Sequence, residues 1–376
     1  MFQRKFKNIE EKPSILGFGC MRLPLLYEGK SDIDYAKASR MIDEAIANGV
    51  NYFDTAYPYH EGKSEIFIGE VLKKYPRSSF YLADKLPIWE IHKEEDVERI
   101  FEEQLQKCQV EYFDFYLAHA LNKQRCEALS ELRIYEILMK KKKEGKIKNL
   151  GFSFHDTPDV CKLILDTFEW DFAQIQLNYL DWELQNSKDL YGYIAEKGIP
   201  CIIMEPVRGG TLATLSDEAV EILHQADAEA STASWAIRYA ASFPNVMTVL
   251  SGMSTLDQVK DNLKTTTDFR ELTKEERQVL EKALEAFKTA SIIPCTGCRY
   301  CMDCPSGVDI PGIFTVYNKY LLSKHKEQFK AEYQELGEAS AAHNCVECGI
   351  CMEQCPQGIG IPNYMKEIAE FAKEIG

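Results

Sequence analysis

Between residues 13 and 270, eight short apolar runs alternate with longer amphipathic stretches, and this alternation limits the folds open to the chain. The runs fall at 15–19, 52–54, 80–85, 113–118, 147–153, 172–176, 199–204 and 246–250. Their length and their Val, Ile, Phe and Tyr content predict strands. The stretches 36–48, 94–108, 129–143 and 158–168 place apolar residues three and four apart, as helices do. Gly49 and Gly145 stand where two of these helices should stop. Eight strands with a helix after nearly every one predict an α/β fold with a parallel sheet, which closed on itself is a TIM (β/α)8 barrel. An open doubly wound sheet would offer a GxGxxG after its first strand. Here Gly17-Phe18-Gly19 is followed by Cys20-Met21-Arg22. Gly62-Lys63-Ser64 ends like a phosphate loop, but Tyr57 occupies the position of that motif's first glycine.

The remaining chain has a different character. Cys295, Cys298, Cys301 and Cys304 precede Pro305, and Cys345, Cys348, Cys351 and Cys355 precede Pro356. Three cysteines at every third position and a fourth before a proline predict a 4Fe–4S cubane, and two such runs predict two. A four-cysteine zinc site usually pairs two CxxC units across a longer loop, and fits less well. In two-cluster proteins the last cysteine of each run ligates the other cluster. Cluster 1 would then take Cys295, Cys298, Cys301 and Cys355, and cluster 2 Cys345, Cys348, Cys351 and Cys304. SGVDIP at 306–311 and QGIGIP at 357–362 repeat one another, which suggests an internal pseudo-twofold. Helical patterns at 313–322 and 327–336 make this region a small, mostly helical, ferredoxin-like domain. The expected division is a barrel over 1–290 and a cluster domain over 291–376.

The net charge of −15 argues against a nucleic-acid partner, which would require a basic face. No run approaches the length of a membrane helix, and the N-terminus lacks the apolar core of a secretory signal, so a cytoplasmic protein is expected. In that compartment the scattered Cys20, Cys108, Cys126, Cys161 and Cys201 read as buried small hydrophobes.

A TIM barrel carries its chemistry at the C-terminal ends of its strands. Asp54 ends the second, with Tyr59 on the following loop; Lys85 ends the third and His119 the fourth. An acid, a phenol, an amine and an imidazole thus meet at one mouth. The ammonium is expected to lower the phenol's pKa, and the imidazole to orient a carbonyl oxygen. Arg22, His155 and Asn178 face the same mouth as candidate substrate contacts. The Arg208-Gly209-Gly210 turn offers a cation and backbone N–H groups to a pyrophosphate.

DTAYPY at 54–59, Lys85 and His119 resemble the catalytic tetrad of the aldo/keto reductase family. LGFGCMRLP at 16–24 and GFSFHD at 151–156 are similar to it too. Together with the cysteine domain, the chain resembles that family's iron–sulfur branch. The resemblance implies hydride transfer between a nicotinamide and a carbonyl or alcohol. Tyr59 would be the general acid, tuned by Lys85 and Asp54, and His119 would orient the carbonyl. It implies further that Ser153 and Gln174 contact the nicotinamide and that Asn262 lies near the adenine end. Phe154 replaces the usual asparagine, and Met204 a tyrosine that stacks on the nicotinamide. Gly252 and Gln258 fall where the family often places a lysine and an arginine for the NADP 2′-phosphate, which weakens the expectation of NADP.

A hydride carries two electrons and a cubane passes one. The alternative is therefore a ferredoxin-linked electron-transfer reductase whose barrel no longer depends on nicotinamide, with FMN as one cofactor open to it. That reading implies a ferredoxin or another electron-transfer protein as partner. A non-catalytic redox sensor is a third reading, disfavoured by the intact tetrad.

Overall fold

The computed structural model describes residues 1–27, 31–288 and 292–375. The chain divides into two compact units. The first is Met1–Pro206 with Ala233–Thr273, and the second is Val207–Thr232 with Lys274–Gly376. This grouping cuts across the expected 1–290 and 291–376 domains, and the residue-290 boundary itself lies outside the described residues. The helices Asp217–Ala226 and Lys274–Lys288 pack on each other within the second unit.

In the first unit eight parallel strands close into a barrel in sequence order. They are β1 (Leu16–Gly19), β2 (Tyr52–Asp54), β3 (Tyr81–Leu86), β4 (Phe113–Leu121), β5 (Ile147–Phe154), β6 (Phe172–Gln176), β7 (Cys201–Met204) and β8 (Val246–Ser251). β8 pairs back onto β1 through Leu16–Val249 and Phe18–Ser251. The strands are buried on both faces, as a barrel enclosed by helices requires. Near their N-terminal ends Tyr52, Phe115 and Phe172 meet edge to face, with centroids 5.1 and 5.2 Å apart. Ile9 and Phe6 pack against this cluster. β5 passes tightly over β6: a Cβ on Gly151 would lie 2.6 Å from the Phe172 carbonyl oxygen.

The helix expected over 129–143 is two helices, Lys123–Glu131 and Ile134–Lys143. Asn122 caps the first by accepting from the Arg125 N–H, and Arg133 separates them with a left-handed φ of +52°. Apolar spacing at three and four persists across the two-residue break at Leu132 and Arg133, so periodicity reads through it.

In the second unit, helices Ile310–Ser323, Lys326–Glu335 and Ile361–Ile375 enclose a core that includes Ile313, Phe314, Phe329, Met365 and Ile368. The sequence repeat is also a backbone repeat. Gly297 and Glu347, at matching places in the two cysteine runs, have φ of +64° and +56°. Arg299 and Gly349 have +67° and +81°, and Gly307 and Gly358 have +70° and +62°. Gly307 N–H donates to Cys304 C=O and Gly358 N–H to Cys355 C=O, at 3.0 and 3.2 Å. No helix among the described residues is long and apolar enough to cross a membrane.

Candidate active site and cysteine cavities

Lys85, fully buried, organises the barrel mouth. Its Nζ donates to Asp54 Oδ1 at 2.7 Å and to the Thr55 carbonyl at 2.6 Å, and lies 3.4 Å from the Tyr59 hydroxyl. A charge this deep persists only when paired, and Asp54 is the partner. Tyr59 arrives on a loop in which His60, Glu61 and Gly62 are successively left-handed, at φ +53°, +56° and +81°. The His60 ring is bonded to the Cys20 carbonyl at 3.1 Å and anchors that loop to the end of β1.

His119 is aimed by a bulge. β4 shifts register against β5 between Ala118 and Leu121, and Ala120 is left-handed at φ +53°. The Ala120 N–H donates to Ser153 Oγ at 2.7 Å, so β5 holds the bulge in place. The imidazole lies edge-on to Tyr59 with centroids 6.3 Å apart and 5.0 Å from the Trp89 ring. Its Nδ1 is buried without a hydrogen-bond partner.

The electrostatics correct one expectation. Burial, followed by the charges of Asp54 and Glu205, pushes the Tyr59 phenol well above its ordinary pKa. The ammonium at 3.4 Å does not offset that, so Tyr59 is a protonated phenol in this site. Burial also raises the Asp54 carboxyl, against the opposing pull of Lys85. Burial, then the charges of Lys85, His155 and Arg125, holds His119 well below the usual range and hence neutral. Burial and Arg125 bring His155 down to about 4.

Ser153 and Gln174 are buried partners in register across β5 and β6. Gln174 Nε2 donates to Met204 Sδ at 3.7 Å, while its Oε1 is buried without a partner. Asn262, in the helix Leu256–Thr267, donates to Ser251 Oγ at 2.8 Å and ties that helix to the end of β8. Gln258 is engaged in that helix's capping box with Thr255. Gly252 packs on the stem of Arg22, whose guanidinium pairs with Glu205 at 3.2 Å. Asn178 is fully buried and occupied locally. Its Nδ2 donates to Asp181 Oδ2 and the Glu205 carbonyl, and its Oδ1 accepts from the Leu180 and Asp181 N–H groups. The Arg208-Gly209-Gly210 turn belongs to the second unit, where Arg208 donates to Gln357 and the Gly210 N–H closes on Val207.

Sequence reasoning missed Trp89, Arg125 and Glu205. Arg125 donates to the Ala120 carbonyl and stacks on Trp89 at 4.9 Å. All three follow strand ends, which was the one available signal.

In the second unit the cysteines sort into two cavities. One is lined by Cys295, Cys298, Cys301 and Cys355. The other is lined by Cys304, Cys345, Cys348 and Cys351, of which Cys348 is exposed. Four cysteines lining one hollow are the donor set that a cubane takes. Each cavity draws its fourth cysteine from the opposite run.

Residues 15–285 match the model of the aldo/keto reductase family. The chain belongs to that family. Residues 294–359 of this aldo/keto reductase match a 4Fe-4S dicluster domain. It is 27% identical to L-galactose dehydrogenase of Arabidopsis thaliana over 72% of this chain and 89% of that one. It is 29% identical to the NADH-specific methylglyoxal reductase of Escherichia coli, over 48% of this chain and 60% of that one. Among solved structures, the holo form of an aldo-keto reductase from Bacillus halodurans superposes with a TM-score of 0.61 at 27% identity. That match covers 75% of this chain and 96% of the other. The protein is an oxidoreductase of this family with an iron–sulfur domain.

Proposed function

We propose that the protein interconverts a carbonyl and its alcohol by hydride exchange with a nicotinamide, NADH in preference to NADPH, with Tyr59 as proton donor. The observation that carries this reading is the buried Lys85, bonded to Asp54 and 3.4 Å from the Tyr59 hydroxyl. A protonated phenol gives its proton to the carbonyl oxygen as the carbon is reduced. Lys85 then stabilises the phenolate left behind, and Asp54 fixes the ammonium. The uncharged His119, edge-on to Tyr59, orients the same oxygen without competing for the proton.

A bound nicotinamide supplies the hydride. The partnerless Gln174 Oε1 beside Ser153 fits an amide donor such as the nicotinamide carboxamide, and Met204 lines the same place. Gly252 and Gln258 offer no charge to a 2′-phosphate, and the Asn262 amide is engaged with Ser251 at the end of β8. That supports NADH, the cofactor named for the Escherichia coli relative. The two cysteine sets each hold a 4Fe–4S cluster, and so the protein adds one-electron capacity to a two-electron site. A small carbonyl compound is the substrate class.

The test is Tyr59→Phe in the anaerobically purified holoenzyme. Carbonyl reduction should fall by at least about a thousandfold while the cluster absorbance stays. Undiminished turnover would remove Tyr59 from the mechanism. NADH and NADPH compared at equal concentration should differ in KM, with NADH the lower.

A further inference from the structure

Arg208 is among the largest fully buried side chains of the molecule. Its Nη2 donates to Gln357 Oε1 at 3.5 Å. The next residue, Gly209, is left-handed at φ +63°, and a Cβ there would fall 2.0 Å from the Thr296 carbonyl oxygen. Only a glycine lets the backbone lie this close to that carbonyl. Thr296 and Gln357 both line the cavity walled by Cys295, Cys298, Cys301 and Cys355. Thr296 sits between the first two of those cysteines, and Gln357 follows the last by two residues. Arg208 and Gly209 are thus fastened to the first cavity from both ends of its cysteine set, all within the second unit.

A guanidinium keeps its charge at every working pH. A cubane held by four thiolates is a net anion, and taking up one electron makes it more negative. A buried cation beside it favours the reduced form, and the low local dielectric strengthens that preference. We infer that Arg208 raises the reduction potential of the cluster in the first cavity above that of the cluster in the second. An electron delivered by a low-potential donor then resides on the first cluster.

The inference rests on the reading that both cysteine sets hold cubanes, and the iron content of the parent protein tests that reading separately. With about eight irons per chain in hand, the full-length holoenzyme is titrated with dithionite and followed by electron paramagnetic resonance. Arg208→Gln should lower the potential of one cluster by a tenfold or greater change in its reduction equilibrium, 59 mV for one electron. The signal that shifts should be the one that Cys298→Ser also perturbs. Arg208→Lys, which keeps the charge, should recover most of the loss. An unchanged potential in a fully loaded Gln variant, or an equal fall in both clusters, overturns the inference. Where the Gln variant loses iron, Arg208→Met replaces it as the neutral variant. Loss of iron from both would make Arg208 a structural clamp and overturn the tuning role as well.

Discussion

Lys85 and Asp54 form an ion pair that water does not reach, so neither tolerates loss of the other. Lys85→Met leaves a buried carboxylate without its partner and should destabilise the fold by about 3–5 kcal/mol, read as a lowered urea midpoint with an unchanged slope. Tyr59→Phe removes a hydroxyl but no charge and should move that midpoint little. His155 gives a pH test whose sign is fixed. Its folded pKa is about 4, against an unfolded value near ~6.5, so between those values the unfolded chain binds the proton and the folded chain does not. The stability it supports is complete above ~6.5 and falls as pH drops to about 4, by at most about 1.4 kcal/mol per pH unit. His119, shifted the same way, steepens the loss. Urea melts at several pH values measure this, and stability that rises on acidification would contradict it. That Asp54, Tyr59, Lys85 and His119 come together was legible because they stand at strand ends or on the loop that follows one. The direction of the Tyr59 shift was not, because spacing shows a neighbouring ammonium but not how completely the site excludes water.

At the scale of elements, strand identity was readable because all eight runs are short, apolar and spaced by helix-length stretches. What escaped was geometry that one residue controls. Arg133 divides one expected helix into two, and Ala120 bends β4 so that His119 points into the mouth. Ser153 was expected as a cofactor contact, and its Oγ also holds that bend. Ser153→Ala should therefore raise KM for the carbonyl substrate as well as for the nicotinamide, in steady-state kinetics with each varied in turn. Gly151 is fixed by its neighbour: Gly151→Ala sets a methyl 2.6 Å from the Phe172 carbonyl oxygen and 2.7 Å from its ring. Forcing that atom in should cost about 1–3 kcal/mol, visible as a lower melting temperature with the iron content unaltered.

Across the whole molecule, every tetrad residue lies in the first unit and all eight clustered cysteines lie in the second. Proton donation and hydride exchange balance without a one-electron carrier. Cys298→Ser should lower the iron content while NADH-linked carbonyl reduction persists. Loss of that turnover in a folded variant would tie the reaction's electrons to the clusters. The five scattered cysteines are all buried, as expected of small hydrophobes.

The sequence alone determined the barrel, the two cysteine runs and the four side chains that meet at the barrel mouth, because each is written in local spacing: strand length, every-third cysteines, residues at or just after strand ends. The tertiary structure alone decided the protonation of Tyr59 and His119, the bulge that aims the imidazole, and the destination of Arg208. Burial and long-range packing set those, and they depend on residues far apart in the chain. The turn read as a pyrophosphate cradle carries a buried cation bonded to a wall residue of a cysteine cavity, because Gly209 fits the Thr296 carbonyl and Gln357 accepts from the guanidinium.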